Sequence, residues 1–388
     1  IAFFASFGLG QSALLRNGAS IVRGAPMTAP GLPAGINIAA LNTGSLNDAR
    51  INNAGQALYT VRLAGPGVGT GNNTAPYRGD TPIARQGDIA PGTSDVFGSF
   101  DNVQSARINA AGQVAFTHNL ATGSAASDGV VYRDSPGSGL TLLARDAAPA
   151  PGTSGQLFSG AGFFSPRINA SGQVAYLGEL SGGANVLYVD TTLYARDGDA
   201  APGLLGLTLN NVGGAATGGG VEFNNAGMPL YVTQVEGPGM TPDNNTVIYL
   251  GTNPLARTSS SAPIAGTTFS SFASGDLALN NLSQFALVAQ LAGPGITTLN
   301  DRALLMWDGR RWHVVAREGD TLAGGTIAAL VAGDGSPRIE LNDSSQVLFW
   351  ANLDGTRDGL FLTASVPVPA LVWTLVVVLA VIGLRIRS

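Results

Sequence analysis

The amino-acid sequence predicts an all-β protein built from tandem modules, and three observations carry this prediction. The stretch RINNAGQALY at 50–59 returns as RINAAGQVAF at 107–116 and as RINASGQVAY at 167–176. Short apolar segments follow these stretches and are separated by Gly, Pro, Asn and Asp, which is typical of strands and turns. Helical periodicity is found only in the C-terminal segment.

The repeated stretch divides the chain into six units that can be aligned on one asparagine. These asparagines stand at intervals of 55–62 residues, at Asn52, Asn109, Asn169, Asn224, Asn280 and Asn342, and the units are called repeats 1 to 6. Self-similarity at a nearly constant period predicts an array of like modules, each too small to bury its own apolar face.

Each repeat begins with an N-x-x-G motif, which predicts a tight hairpin turn. Asn bonds its own backbone in turns, and Gly supplies a positive φ without steric cost. The predicted positive-φ glycines are Gly55, Gly112, Gly172 and Gly227. Ser283 and Ser345 replace this glycine in repeats 5 and 6. There the turn is expected to relax out of positive φ rather than carry strain of about 1 kcal/mol.

The other strands follow in the same order within each repeat. In repeat 2 a third strand is predicted at 129–133 and a fourth at 140–145, and the fourth ends in Arg before a turn. The same ending recurs in ARQGDIAPG at 84–92, ARDGDAAPG at 195–203 and AREGDTLAGG at 316–325. Four antiparallel strands and a Pro-Gly connection describe a propeller blade better than a solenoid rung.

The strand order therefore predicts a β-propeller of about six four-stranded blades over residues 14–364. Repeat 6 lacks a fourth strand ending in Arg. The segment ASIVRGAPMTAPG at 19–31 has the signature of a fourth strand, but no first, second and third strands of a repeat precede it. The N- and C-terminal pieces are therefore expected to share a blade, which leaves no free sheet edge. Seven blades remain the alternative, because SALLRN at 12–17 would make a further strand.

Composition excludes several classes of function. The chain of 388 residues has a net charge of −5 and no run of Lys or Arg, so it lacks the electrostatic footprint of a nucleic-acid-binding protein. It has no cysteine, which excludes disulfides, thiolate zinc sites and a cysteine nucleophile. Only two histidines are present, so a histidine-based metal site or catalytic triad is not expected.

The two ends of the chain differ from the repeats. Val366–Leu384 is a run of 19 uncharged residues followed by Arg385 and Arg387, which predicts a C-terminal transmembrane helix within an anchor segment at 365–388. The positive end should stay cytoplasmic, which places the repeats outside. A buried core helix is the alternative. Residues 1–13 are similar to the end of a signal-peptide apolar region, or else form a first strand.

The tail also carries a specific pattern of residues. Val366, Pro367, Val368, Pro369 and Ala370 precede Trp373, one hydrophobic span and an Arg-containing end. This pattern resembles the PEP-CTERM and VPLPA-CTERM sorting signals, in the Pro-x-Pro-Ala variant that lacks the Glu. The resemblance implies export in a Gram-negative bacterium, recognition by an exosortase-type enzyme and a location at the cell surface or outer envelope.

The six turns, four of them followed by a Gln, Met or similar residue and then a small-plus-aromatic pair, resemble the NxxGxxAF tandem-repeat proteins, which carry a variety of such anchors. The resemblance covers about residues 20–364 and extends to Leu-Ala-Gly-Pro-Gly at 63–67 and 291–295. It implies an exported, anchored repeat protein with no established activity.

The residues that could carry chemistry are few, and no catalytic or cofactor-binding residue is predicted. His118 and His313 are interpreted as ordinary strand residues. The Arg-x-Gly-Asp turns pair Arg85 with Asp88, Arg196 with Asp199 and Arg317 with Asp320. Calcium is the metal these carboxylates would suit, with DGD at 197–199 the best candidate, but the dense ligand spacing of a calcium loop is absent. The favoured interpretation is a structural turn whose Arg–Asp pair braces neighbouring blades.

Chain order also predicts where binding would occur. The connections between second and third strands share a face with the blade-to-blade connections, and long, unequal loops lie there at 63–76, 235–246 and 291–301. Loops on a rigid scaffold are common binding sites. We therefore expect a non-catalytic, membrane-anchored protein that binds matrix or cell-surface glycan or protein. The alternative is an enzyme acting on polysaccharide, which would need converging carboxylates, whereas Glu179, Glu222 and Glu340 are scattered.

Overall fold

The computed structural model describes residues 2–7, 11–16, 19–24, 27–41, 49–100, 106–121, 128–214, 220–272, 277–330 and 339–365. All regular structure in these residues is β-strand, which confirms the all-β prediction. The predicted transmembrane helix and the sorting signal at 366–370 lie outside the described residues. Within the described part of the chain, no helix is long and apolar enough to cross a membrane.

The chain divides into two compact units, Ile1–Tyr194 and Ala195–Ser388. The strands of the first unit are β1 (Ala2–Phe7), β2 (Gln11–Arg16), β3 (Ala19–Gly24), β4 (Met27–Thr28), β5 (Asn37–Leu41), β6 (Arg50–Ile51), β7 (Ala57–Ala64), β8 (Thr74–Arg78), β9 (Thr81–Pro82), β10 (Ala106–Ile108), β11 (Val114–Asn119), β12 (Gly129–Ser135), β13 (Gly139–Arg145), β14 (Phe164–Ile168), β15 (Val174–Glu179), β16 (Asn185–Val189) and β17 (Thr192–Arg196). They form an N-terminal sheet, β1-β2-β3, and one sheet for each of repeats 1 to 3.

The second unit contains the sheets of repeats 4 to 6. Its strands are β18 (Thr208–Asn210), β19 (Val221–Phe223), β20 (Pro229–Glu236), β21 (Thr246–Leu250), β22 (Asn253–Arg257), β23 (Thr268–Phe272), β24 (Ala278–Leu279), β25 (Phe285–Ala292), β26 (Arg302–Trp307), β27 (Trp312–Arg317), β28 (Thr321–Leu322), β29 (Gly325–Ala329), β30 (Ile339–Leu341), β31 (Val347–Leu353) and β32 (Arg357–Leu362). Every pairing between neighbouring strands is antiparallel.

Repeats 1 to 5 each have the four strand positions that the sequence predicts. In repeat 2 the order is β10-β11-β12-β13, and in repeat 3 it is β14-β15-β16-β17. The first position is divided in repeats 1, 4, 5 and 6. In repeat 4, for example, β18 and β19 pair with opposite halves of β20. This division was not predicted, because only the piece next to the N-x-x-G turn carries the sequence signature of the first strand.

The predicted joining of the chain ends in one blade would link strands of the two units, and it stays a prediction. The segment at 19–31 does supply a strand, but β3 pairs with β2 in the N-terminal sheet. SALLRN at 12–17 overlaps β2, so the further strand considered in the sequence analysis is present. The described residues consequently form seven sheets, one more than the number of repeats.

Both faces of the first half of β11 and of the first half of β25 are buried, because the sheets of repeats 2 and 5 each pack against a sheet on either side within their own unit. Val114 and Phe116 of β11 contact the sheet of repeat 1, whereas Ala115, between them, packs toward repeat 3. In β25, Phe285 faces repeat 4 and Ala286 faces repeat 6. An alanine on one face beside an aromatic ring on the other lets the sheets interdigitate at the density of a protein core. The small-plus-aromatic pair of the sequence repeat is therefore a packing requirement.

Tyrosines in the third strands fasten the Pro-Gly connections to the sheets. The hydroxyls of Tyr77, Tyr132, Tyr188 and Tyr249 donate hydrogen bonds to the carbonyl oxygens of Pro30, Pro91, Pro151 and Pro202, over 2.6–3.1 Å. All four tyrosines are fully buried. Each connection is thereby held against the third strand of the repeat that follows it.

The asparagine of the N-x-x-G turn joins the turns of repeats 1, 2, 4 and 5 to the next repeat. The side-chain oxygen of Asn52 accepts a hydrogen bond from the Gln56 backbone amide at 2.8 Å. Its side-chain nitrogen donates to the Gln56 side chain and to the backbone oxygen of Asn109, the corresponding residue of repeat 2, both at 2.8 Å. Asn109 repeats these contacts with Gln113 and with Asn169 at 2.8–2.9 Å. One carboxamide therefore closes its own hairpin and bonds the neighbouring hairpin.

The glycine predictions are confirmed, and the serine prediction is wrong. Gly55, Gly112, Gly172 and Gly227 have φ of 74–86°, and Ser283 and Ser345 keep the same conformation with φ of 60°. The Ser345 hydroxyl donates to the Gln284 side chain at 2.7 Å. The Ser283 hydroxyl accepts a hydrogen bond from the Asn224 side chain at 3.0 Å. Asn224 belongs to repeat 4, where Met228 stands in place of the glutamine. These hydrogen bonds offset the cost of the left-handed backbone.

We expect Asn52→Ala to lower the free energy of unfolding by about 2–3 kcal/mol, because it leaves a backbone amide and the Asn109 carbonyl without a partner. Asn53→Ala is the matched control, since Asn53 is the next residue of the same turn and is exposed. Its effect should stay within about 0.5 kcal/mol. Denaturant unfolding of both variants measures the difference, and equal losses would show that the buried carboxamide is not the joint between repeats.

Candidate functional site

The loops between second and third strands in repeats 1, 4 and 5 share one sequence pattern. They are called the GPG loops and comprise residues 65–73, 237–245 and 293–301. Each begins Gly-Pro-Gly, continues with Val, Met or Ile, and has Asn at its eighth position. Their chain order predicts loops of unequal length. They are instead three copies of one loop of the same length.

The hydrogen bonds of the three GPG loops are also the same. The side-chain oxygens of Asn72, Asn244 and Asn300 accept from backbone amides within the loop at 2.7–2.8 Å. The side-chain nitrogens of these asparagines donate back to the second glycine of the motif at 3.0–3.2 Å. Each loop is thus closed on itself by one asparagine, which keeps its conformation fixed.

The first glycine of each GPG loop lies against the preceding connection. A Cβ atom on Gly65, Gly237 or Gly293 would come closer than 3.0 Å to the carbonyl oxygen of Gly35, Gly206 or Gly266, respectively. These first glycines have φ of 136–145°, a region that side-chain-bearing residues rarely adopt. Most of the loop is exposed, whereas Val68, Met240 and Ile296 are half-buried at corresponding positions. The result is a rigid, solvent-exposed tip in three copies.

The Arg-x-Gly-Asp turns are structural, but they do not brace neighbouring repeats as predicted. Arg196 bonds Asp199 at 2.7 Å within a single turn. Arg85 and Arg317 instead donate from Nε to the carbonyl oxygens of Asn72 and Asn300, at 2.8 and 2.9 Å. Two of the three arginines therefore support the base of a GPG loop.

The charge pairs that do join repeats lie elsewhere. Arg78, at the end of β8, forms an ion pair with Asp134 of repeat 2 and donates to the Gly112 carbonyl oxygen. Arg133 makes the corresponding contacts one repeat later, with Asp190 at 3.3 Å and the Gly172 carbonyl at 2.9 Å. The sequence carried a weak signal for this, namely Tyr-Arg at the end of the third strand in both repeats.

The carboxylates of DGD at 197–199 are occupied by protein donors. Asp197 accepts the Val212 backbone amide at 2.8 Å, and Asp199 is paired with Arg196. Within the part of the chain that the structure describes, no three Asp, Glu or His side chains are grouped so as to hold a metal ion. The three glutamates considered for catalysis lie in three different repeats, Glu179 in β15, Glu222 in β19 and Glu340 in β30.

The two histidines lie in different surroundings. His313 Nε2 is 2.6 Å from Asp308 Oδ2 in the turn between β26 and β27. Although desolvation opposes it, hydrogen bonds from His313 and from the Arg311 and Arg310 amides lower the pKa of Asp308 to about 2. This aspartate is therefore ionised at neutral pH and holds its turn. His118, by contrast, lines a cavity in the first unit.

The cavity beside His118 has a volume of about 360 Å³. It is bounded by β11, by residues of repeat 1 and by the segment 161–163 of repeat 3. The His118 ring stacks on Phe100 with centroids 3.9 Å apart and planes within 9°. His118 Nε2 is 3.2 Å from the Gly98 carbonyl oxygen, which fixes the ring orientation. Sequence reasoning assigned His118 to a strand correctly, but nothing in the sequence indicated the cavity.

A buried carboxyl group lies close to this cavity. Asp146, the residue after the arginine that ends β13, is 2% exposed. Its Oδ2 atom accepts the Gly129 amide at 3.0 Å, and its Oδ1 atom has no hydrogen-bond partner. Burial raises the pKa of Asp146 to about 6, although the bond from Gly129 opposes the shift and the charge of Asp128 adds to it.

Comparison with known proteins places the chain in a family. Residues 15–202 and 190–365 match the model described as "Family of unknown function (DUF7453)", so the chain belongs to that family. No curated protein matches it.

Among solved structures, the chain is similar at low level to several proteins. A protein of unknown function from Bacteroides caccae is 12% identical, with 84% of this chain and 96% of that chain covered and a TM-score of 0.31. SapL1 lectin in complex with alpha methyl fucoside is 13% identical over 86% and 94%, with a TM-score of 0.31. A six-bladed β-propeller lectin from Aleuria aurantia is 13% identical over 84% and 98%, with a TM-score of 0.26. These values are too low to support an inference about a ligand.

We expect Asp146→Asn to remove a pH dependence of stability. The pKa of Asp146 is higher in the folded chain than its ordinary 3.8, so the folded state binds the proton more tightly. The resulting stabilisation is complete below about pH 4 and is lost as the pH rises through about 6. The free energy of unfolding of the wild-type protein should therefore rise by about 1.4 kcal/mol between pH 8 and pH 5 relative to that of the variant.

Unfolding curves at the two pH values measure this difference. Glu318, which is also buried, has a raised pKa, so only the wild-type-minus-variant difference reports on Asp146. Asp80→Asn, at an exposed position, is the control and should keep the wild-type pH dependence. An Asp146→Asn protein with the wild-type pH dependence would contradict the assignment.

Proposed function

We propose that this protein is a non-catalytic binding protein that recognises a glycan or protein of the extracellular matrix or cell surface. The observation that carries the proposal is the triplicate GPG loop, which presents the same rigid, exposed tip from three repeats. Loops that a scaffold holds in one conformation lose little entropy on binding. Three equal tips suit a ligand that is itself repetitive, because binding at several points raises the overall affinity.

The scaffold in this proposal is a β-propeller of six or seven blades. Support comes from the four-stranded antiparallel sheets of repeats 1 to 5 and from their face-to-face packing within each unit. In such a blade, the N-x-x-G turns and the GPG loops lie at opposite ends of the second strand. The turns then hold the repeats together, and the opposite face remains available for recognition.

Export and anchoring are part of the same proposal. The tail at 365–388, with its Val-Pro-Val-Pro-Ala start and its uncharged span, would hold the protein in the membrane until an exosortase-type enzyme removed it. In the native host, we expect mature surface-extracted protein to end near Pro369, and intact-mass measurement would show this. A full-length mass would indicate a permanent membrane anchor instead.

The binding role is tested with the full-length triple variant Gly65→Ala, Gly237→Ala and Gly293→Ala. The added methyl groups would meet the carbonyl oxygens of the preceding connections and displace all three loops. We expect binding to arrays of purified extracellular polysaccharides and matrix proteins to fall at least tenfold, roughly the effect of losing one well-made contact.

The control carries Asn53→Ser and Ala110→Ser, two exposed substitutions in the N-x-x-G turns. It should bind as the wild type does. Wild-type protein that binds nothing on the arrays, or a triple variant that binds normally, would refute the role of the GPG loops.

A further inference from the structure

The cavity beside His118 has a buried apolar floor and a polar rim. Its floor is formed by side chains that are at most 9% exposed: Leu58, Phe100, Ala106, Val114, Phe116 and Phe163. Its rim carries Ser99, Thr117, His118 and Asn119, which are half-buried or exposed. A volume of about 360 Å³ lies at the lower end of the range for small-molecule sites, about 300–1,000 Å³.

The aromatic wall of the cavity is already in place without a ligand. Phe100 stacks on His118 and lies 5.5 Å from Phe97 and 6.4 Å from Phe116, measured between ring centroids. The Phe100 backbone amide donates to Thr74 Oγ1 at 2.8 Å, which fixes the segment that carries the ring. A ligand that packs against this wall therefore does not have to order it first.

The described lining of the cavity also limits the charge of a ligand. It contains no carboxylate and no guanidinium, and His118 is its one ionisable side chain. A charged ligand would lose hydration there without gaining an opposite charge, which is costly. The polar rim residues instead provide hydroxyl and amide groups, which both donate and accept hydrogen bonds.

We infer that this cavity binds one uncharged sugar ring. The C–H face of such a ring packs against Phe100, Phe116 and Phe163, while its hydroxyl groups bond the rim residues Ser99, Thr117 and Asn119. This inference deepens the proposed function, on which it rests: the GPG loops would hold a glycan at several points, and the cavity would hold one of its sugar units.

The test uses full-length protein and saturation-transfer NMR with a panel of methyl glycosides of neutral hexoses, 6-deoxyhexoses and uronic acids. At least one neutral glycoside should bind, and the uronic acids should bind more weakly. Thr117→Val keeps the shape of the side chain and removes its hydroxyl, so we expect binding about fivefold weaker. Ala161→Trp places a large ring at the exposed edge of the cavity and should abolish binding.

The matched control is Ala54→Trp, an exposed alanine in the repeat 1 turn, which should bind as the wild type does. Unfolding curves establish that both tryptophan variants are folded. Absence of binding by every neutral glycoside, or binding that persists in Ala161→Trp, would overturn the inference.

The GPG triple variant separates this inference from the proposed function. If the cavity inference is correct, that variant loses binding to polymers but still binds the methyl glycoside. If polymer binding depends on the GPG loops while no monosaccharide binds wild-type protein, the proposed function stands and the cavity inference fails.

Discussion

The rest of this structure depends on one buried carboxamide in each of repeats 1 to 5. In repeats 1, 2 and 5, the asparagine that opens the N-x-x-G turn satisfies the backbone of its own hairpin and donates to the corresponding asparagine of the next repeat. Asparagine alone provides this combination at that length, because its side chain carries an acceptor and a donor on the same carbon. Consecutive turns in these repeats are therefore bonded directly to each other.

The two ends of each second strand differ in how much their sequences vary between the repeats of this chain. At the turn end, the asparagine is present in all six repeats, and where serine replaces the glycine it retains the conformation. At the other end, repeats 1, 4 and 5 carry the GPG loop and the other repeats do not. The family model matches two spans of three repeats each, and a GPG loop stands in the first repeat of both. The loop is thus a feature of particular repeats rather than of the scaffold.

Sequence reasoning predicted the strand modules well, because their signals are local. Turn residues, alternating apolar positions and the arginine that ends the fourth strand all lie within a few residues of the feature they specify. The positive φ of Gly55 and Gly112 follows directly from their place in the motif. The divided first strand was missed because its outer half, such as β18, is short and separated from the turn.

The candidate site was less predictable, because its features depend on partners far apart in the chain. Asp146 is followed by two alanines, and only the folded structure shows that one of its oxygens has no partner. The cavity combines residues of three repeats. The GPG loops could have been recognised from the sequence, because Gly-Pro-Gly with an asparagine five residues after the second glycine occurs three times. Aligning the repeats only on the N-x-x-G turn hid that second pattern.

The bond between Asn224 and Ser283 means that the repeats are not interchangeable parts. Repeat 4 has Met228 where other repeats have glutamine, and the hydroxyl it needs comes from repeat 5. A recombination event that moved repeat 4 next to a glycine-type turn would remove the hydroxyl that accepts this hydrogen bond. Gene duplication and shuffling within this family should therefore transfer repeats 4 and 5 as a pair. A protein engineer who builds longer arrays from this chain should cut them on either side of that pair.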